Sequence, residues 1–325
     1  MGEGRELAGR PVLVTGATGF IGSHLVRALN RLGARVHGLA RRATPATRVE
    51  AGPVVWHAGD LTDAQSLTRA IEDAAPEVVF HLAAAGTTYD QQDADRIYRV
   101  NVAGTWNLWQ SIASSSCRLV MAGTCGEYGR ARGPLREDHA CRPTWLYPAT
   151  VHAAVTLVTT LARQTDHEVV VLRPFGPYGP ADNADRVLPH VIEGLLRGAD
   201  VPVTAGEQLR DFAYVDDHVA AFILAATRPL PQFGAIYNSA SGTPRPLRTV
   251  IETAARIVGG DAIRRVRFGA VPYRPTEVWE MYADVEAARR DLGFSASVSL
   301  EEGLARTVAW YREHRSRIDR AVARS

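Results

Sequence analysis

Short apolar runs recur through the first half of the chain, at residues 12–15, 35–40, 54–57, 78–82, 119–122 and 169–172. Between them, apolar residues return every three or four positions, as in Leu25, Val26, Leu29 and Leu32. Brief runs alternating with helical spacing predict strands alternating with helices, hence an α/β fold with a parallel sheet covered on both faces. The rhythm changes beyond Arg173, where prolines and glycines crowd residues 173–180 and Pro202, Pro229, Pro231, Pro244, Pro246, Pro272 and Pro275 break the pattern further. We therefore divide the chain at 1–173 and 174–325, with a smaller, irregular second part wrapped around a ligand and one of its strand-helix segments returning to the first sheet.

Composition narrows the function classes. The chain has 325 residues, 46% apolar and 22% charged, enough to bury a core without disulfides. Its 37 basic and 35 acidic side chains leave a formal charge of +2, which argues against a nucleic-acid or membrane partner. Every basic residue is Arg, so no step can use a lysine ammonium or a lysine Schiff base. Cys117, Cys125 and Cys141 have no metal-ligand spacing and cannot all pair, so no metal site is expected. With no apolar signal core in the first ten residues, the expectation is a cytoplasmic protein. The closing basic stretch reads as a solvated helix or frayed tail.

The first run leads into Gly16-x-x-Gly19-x-x-Gly22 and then a helix. That placement is what a dinucleotide pyrophosphate needs: a tight turn at Gly16, close backbone approach at Gly19, and close helix packing at Gly22. The N–H groups of Thr18, Phe20 and Ile21 surround the same helix start. At the end of the second run stand Ala40, Arg41 and Arg42, not a carboxylate, so Arg41 can fork onto a 2′-phosphate and NADP(H) is favoured over NAD(H). Asp60 is either a hydrogen-bond acceptor for adenine or a helix N-cap.

This glycine pattern resembles the extended short-chain dehydrogenase/reductase family, together with residues 79–84 (VFHLAA), 101–105 (NVAGT), 172–180 (LRPFGPYGP) and 210–217 (RDFAYVDD). The family's members mostly modify sugar nucleotides on a Rossmann-type doubly wound sheet. The resemblance, spanning about residues 11–304, implies cofactor contacts from Asp60, Leu61, Ala83, Asn101, Tyr147 and Pro174. It places the family's catalytic Ser/Thr on Thr124 and its catalytic tyrosine on Tyr147.

The family's lysine, four residues after the tyrosine, falls on Val151. An ammonium one helical turn on would stabilise tyrosinate, and valine cannot. Bringing a phenol from about 10 to neutrality takes about 4 kcal/mol. A reductase suffers least, because neutral Tyr147 need only donate a proton. His152 is rotated about 100° from the tyrosine face. Where the family's 4,6-dehydratases carry an Asp-Glu pair, this chain has Cys125 and Gly126, which argues against dehydration.

On the substrate side, Arg210 and Arg274 match the family's diphosphate-binding arginines, while Gly176 stands where an asparagine is common. Thr87, Thr88, Tyr89 and Glu127 follow strand ends and are expected to meet sugar hydroxyls. The helix beginning near Tyr147 is apolar on more than one face, and in this family such a helix builds a homodimer. The reading that results is an NADPH-dependent ketoreductase of a nucleoside-diphosphate 4-keto-6-deoxyhexose. A nucleotide-sugar epimerase with tightly held cofactor and a cofactor-binding protein without redox activity stand as alternatives.

Overall fold

The structure, a computed structural model, describes residues 6–41, 47–87 and 93–322, with side chains as far as His314. Arg42, Thr88 and Tyr89 lie outside these residues. Seven parallel strands form the central sheet: β1 (Pro11–Thr15), β2 (Arg35–Ala40), β3 (Val55–Ala58), β4 (Val78–His81), β5 (Arg118–Ala122), β6 (Val169–Pro174) and β7 (Ala235–Ser239). Their spatial order is β7-β6-β5-β4-β1-β2-β3. The order reverses between β1 and β4, the crevice position at which such sheets bind ligands.

Neighbouring strand residues face opposite sides of the sheet, which is why each run is apolar throughout. Val12, Val14, Phe80, Val120, Val170 and Leu172 pack with α1 (Phe20–Arg31) and α5 (Val215–Thr227). Leu13, Val79, Leu119, Met121, Val169 and Val171 pack on the other face with α2 (Ala64–Ala74), α3 (Gly104–Ile112) and α4 (Leu146–Thr165). Strand β7 pairs with β6 from Ala235↔Val170 to Ser239↔Pro174, so both β7 and α5 come from beyond residue 173.

The other segments beyond β6 form smaller layers. Helices Val187–Leu196, Leu247–Val258 and Leu300–Val322 bury Leu188, Ile192, Val250, Leu304 and Tyr311 together. A four-stranded sheet in the order Pro244–Pro246, Leu209–Asp211, Glu280–Ala283, Pro134–Leu135 ties this region to the loop after β5. Gly176 has φ +42, and a Cβ there would lie 2.3 Å from the Asp211 carbonyl oxygen. Close approach of two chain segments therefore demands glycine where the family commonly has asparagine.

Candidate active site

The turn between β1 and α1 is shaped by the absence of side chains. Gly16 has φ +73, and a Cβ would press to 2.7 Å from the Ala83 nitrogen and the Leu82 carbonyl carbon. A Cβ on Gly22 would come 2.1 Å from the Gly16 oxygen. Gly19 is the N-cap of α1 with no side-chain cap, so the first N–H groups of the helix are left for an anion. Phe20 turns its ring into the core beside Tyr178 and Leu188, and Ile21 packs there too, so both offer the turn only their backbone.

Thr124 and Tyr147 meet across two elements. Thr124 caps the short helical turn Cys125–Tyr128, and Tyr147 is the second residue of α4. Burial pushes the phenol up to about 12, against the pull of the Arg186 guanidinium and a side-chain hydrogen bond with Thr124. The phenol is therefore neutral at physiological pH, ready to give a proton rather than to take one. Val151 points the other way from any replacement role, being 4% exposed and packed into the core beneath α4. Burial also pushes the Cys125 thiol up, so it is no thiolate nucleophile.

Arg186 had no signal in the sequence. It pairs at 3.8 Å with Asp182, whose carboxyl burial raises to about 6. Its positive charge acts on both Tyr147 and Cys125. Arg210 is drawn to the same neighbourhood, donating to Glu277 Oε1 at 2.7 Å and acting electrostatically on Cys125. Glu277 lies in the turn that Arg274 opens, where the Glu277 N–H bonds the Arg274 carbonyl at 3.0 Å. The two arginines singled out in the sequence thus belong to one corner, with a carboxylate beside them.

Two expected contacts, and one of the two alternatives for Asp60, are corrected by the geometry. Glu127 does not face a sugar: it is fully buried, with Oε1 accepting from the Thr124 N–H at 2.9 Å and Oε2 facing Arg173 at 3.0 Å and His152 at 3.2 Å. Its carboxyl lies below the ordinary range because the His152 and Arg173 contacts outweigh burial. Asn101 does not offer its amide to a cofactor. Its Oδ1 accepts from Ala85 N–H at 2.8 Å, and its Nδ2 donates to the Ala85 carbonyl and to Thr150 Oγ1, clamping the loop after β4 onto α4. Asp60 is not a helix N-cap, because Asp63 caps α2, while Asp60 accepts from the N–H and hydroxyl of Thr62.

The remaining sites stand where strand ends place them. Ala83 follows β4 beside Gly16, and Pro174 ends β6. Leu61 is buried in the core and presents only its backbone. Thr18, Arg41 and Thr87 are half-buried or exposed at carboxyl ends of strands. Glu127, Cys141 and His152 bring three metal-binding atoms within 4.8 Å of one another. The Arg173 guanidinium donates to both Glu127 and Cys141 Sγ, at 3.0 and 3.2 Å, so a cation already fills the place a metal would take.

Residues 12–239 match the model of the NAD dependent epimerase/dehydratase family. The chain belongs to this family. Among its relatives, a probable UDP-glucuronate 4-epimerase of Rhizobium meliloti (strain 1021) is 29% identical, over 95% of this chain and 99% of that protein. The crystal structure of the UDP-glucose 4-epimerase of Thermotoga maritima with UDP-glucose superposes with a TM-score of 0.84 at 27% identity, covering 93% of this chain and 98% of that one. MoeE5 in complex with UDP-glucose and NAD is 34% identical with a TM-score of 0.81, covering 93% of this chain and 98% of that one.

Membership in an NAD dependent family fits the turn after β1, where Gly16 lies too close to the Leu82–Ala83 backbone for a Cβ and the start of α1 has no side-chain cap. Within the family frame, Val151 on α4 and Arg186 beside the phenol are properties of this chain's own residues. Among the described residues no helix is long and apolar enough to cross a membrane.

Proposed function

We propose that this protein is a nucleoside-diphosphate-sugar 4-epimerase working with a retained nicotinamide cofactor. The observation that carries the reading is whole-length likeness to 4-epimerases combined with the Thr124–Tyr147 contact at the crevice. A bound nicotinamide would supply the hydride acceptance and return that inversion at C4 requires. The uncapped start of α1, with Gly16, Thr18, Gly19 and Gly22, holds the pyrophosphate, while Ala83, Pro174 and the backbones around Asp60 and Leu61 border the rest of the dinucleotide. Arg210 and Arg274 hold the sugar nucleotide's diphosphate, Thr87 borders the sugar, Thr124 orients the C4 oxygen, and Tyr147 carries its proton. Arg41 at the end of β2 favours NADP(H), although MoeE5 was solved with NAD.

A second reading, the ketoreductase, is favoured by one feature: a phenol near 12 with Val151 beside it is a better proton donor than base. Dehydration is not proposed, since Gly126 has no side chain and the Cys125 thiol is raised. One assay separates the readings. Purified protein given UDP-glucose or UDP-glucuronic acid is expected to form the C4 epimer with no net absorbance change at the nicotinamide band. NADPH consumed stoichiometrically with a 4-keto-6-deoxyhexose nucleotide, and no epimer from either UDP-sugar, would replace the first reading by the second. Neither event would overturn both.

We also propose a homodimer through α3 and α4. Trp106 on α3 and Trp145 and Leu146 at the start of α4 are exposed at 38%, 36% and 40%. Light scattering is expected to give twice the 35.3 kDa chain mass, and a monomer at micromolar concentration would exclude the dimer.

A further inference from the structure

Without lysine, the reaction at Tyr147 relies more heavily on geometry. Its contact with Thr124 joins a helix to a separate turn. A misplacement of about 1 Å at such a contact can cost about a hundredfold in rate. Whatever holds the turn against the helix therefore matters more here than in an enzyme whose tyrosine is activated by an ammonium.

Two features hold them together. The turn packs directly on the start of α4, since a Cβ on Gly126 would lie 3.0 Å from Pro148 Cβ. Beneath it, Glu127 reaches back to the Thr124 N–H at 2.9 Å and out to His152 Nδ1 at 3.2 Å. The carboxylate fits because residue 123 is glycine, whose Cβ would come 2.6 Å from Oε1. Arg173 fixes Glu127 from β6, and His152 fixes it from α4, the helix of Tyr147. His152 is also the accessible member of the group, with 33% of its side chain exposed against 3% for Arg173 and none for Glu127.

We propose that His152 is a positioning residue which, through Glu127, keeps the Thr124 turn in register with Tyr147. It lies about 100° around the helix from Val151, facing the turn rather than the core. The kinetic part of this inference rests on the C4 reading above; the structural part does not. Replacement of Arg173 or Glu127 would open the core, whereas His152 can be changed alone.

His152→Leu is expected to lower kcat about tenfold with KM unchanged, and His152→Gln, which keeps an N–H donor, to recover to within about twofold. Hydrogen exchange of amides 123–128 is expected to quicken in His152→Leu and not in His152→Gln. A His152→Leu enzyme with kcat within about twofold of the parent, a loss carried by KM alone, or no rescue by Gln would overturn the proposal. Should the parent epimerise nothing, the C4 reading fails by itself and exchange decides this one. Identical exchange in all three proteins would overturn it; quickening confined to Leu would support it.

Discussion

Replacing Tyr147 by Phe is expected to lower kcat for C4 epimerisation by about 10²–10⁴-fold, the usual contribution of a positioned proton donor or acceptor. The ring would keep its place at the start of α4 beside Trp145, 5.6 Å away, so the substitution removes the hydroxyl and little else. The diphosphate contacts of Arg210 and Arg274 in this reading do not use the phenol hydroxyl, and KM should move by less than about threefold. Burial holds the parent's phenol at about 12, so the phenolate fraction rises tenfold with each pH unit below that value. Turnover limited by proton removal should therefore climb from pH 7 to 9 in the parent and stay flat in the variant. A loss below about tenfold, with the pH dependence kept, would show that another group carries the proton.

The largest loss of stability is expected from Arg173→Leu. Arg173 is 2% exposed, donates to Glu127 Oε2 at 3.0 Å, to Tyr128 Oη at 3.0 Å and to Cys141 Sγ at 3.2 Å, and lies 4.7 Å from the Tyr128 ring centre. Leucine would leave the fully buried Glu127 without its strongest cation, and breaking one side of a buried pair costs about 3–5 kcal/mol. The pH dependence has a definite sign. In the parent, the Glu127 carboxyl lies below its ordinary value, so its contribution to stability is present above that ordinary value and is lost as pH falls through the folded value. In the variant, with only His152 and the Thr124 N–H set against burial, the group is expected to rise from that lowered value, so the stability it contributes at higher pH shrinks. Thermal melts should show a larger gap between parent and variant at pH 8 than at pH 5. Adding Glu127→Gln to the variant should close part of the pH 8 gap, and equal melting temperatures would refute the account.

Much of the fold could be read from local pattern. The six apolar runs became β1 to β6 with boundaries shifted by at most two residues, because a strand covered on both faces must be apolar at consecutive positions. The seventh strand, Ala235–Ser239, was not singled out. It is short, and nothing local shows that it pairs with β6 some sixty residues earlier. The glycine turn was legible for the same reason the runs were: its three glycines lie within seven residues, and a Cβ on Gly22 would strike Gly16 itself.

The candidate site divides along the same line. Thr124, Tyr147 and the lysine position now held by Val151 could be located from motifs. Glu127 looked like a sugar ligand because it stands beside a strand end, yet its partners His152 and Arg173 are 25 and 46 residues away. Asn101 looked like a cofactor ligand, and its amide is taken up by Ala85 and by Thr150 on α4. Arg186 gave no signal, since an arginine after a proline-rich loop is indistinguishable from a surface charge until the loop is seen to bring it to Tyr147.

By itself the sequence determined the alternation of strand and helix, the glycine-rich turn after β1 and the absence of any lysine. These depend on residue type and on spacing within one or two turns of chain. Only the tertiary structure decided which buried carboxylate pairs with which cation, which amide is free, and what surrounds the phenol. Those outcomes are set by contacts between segments dozens of residues apart, where desolvation makes each charge depend on the partner that folding brings beside it.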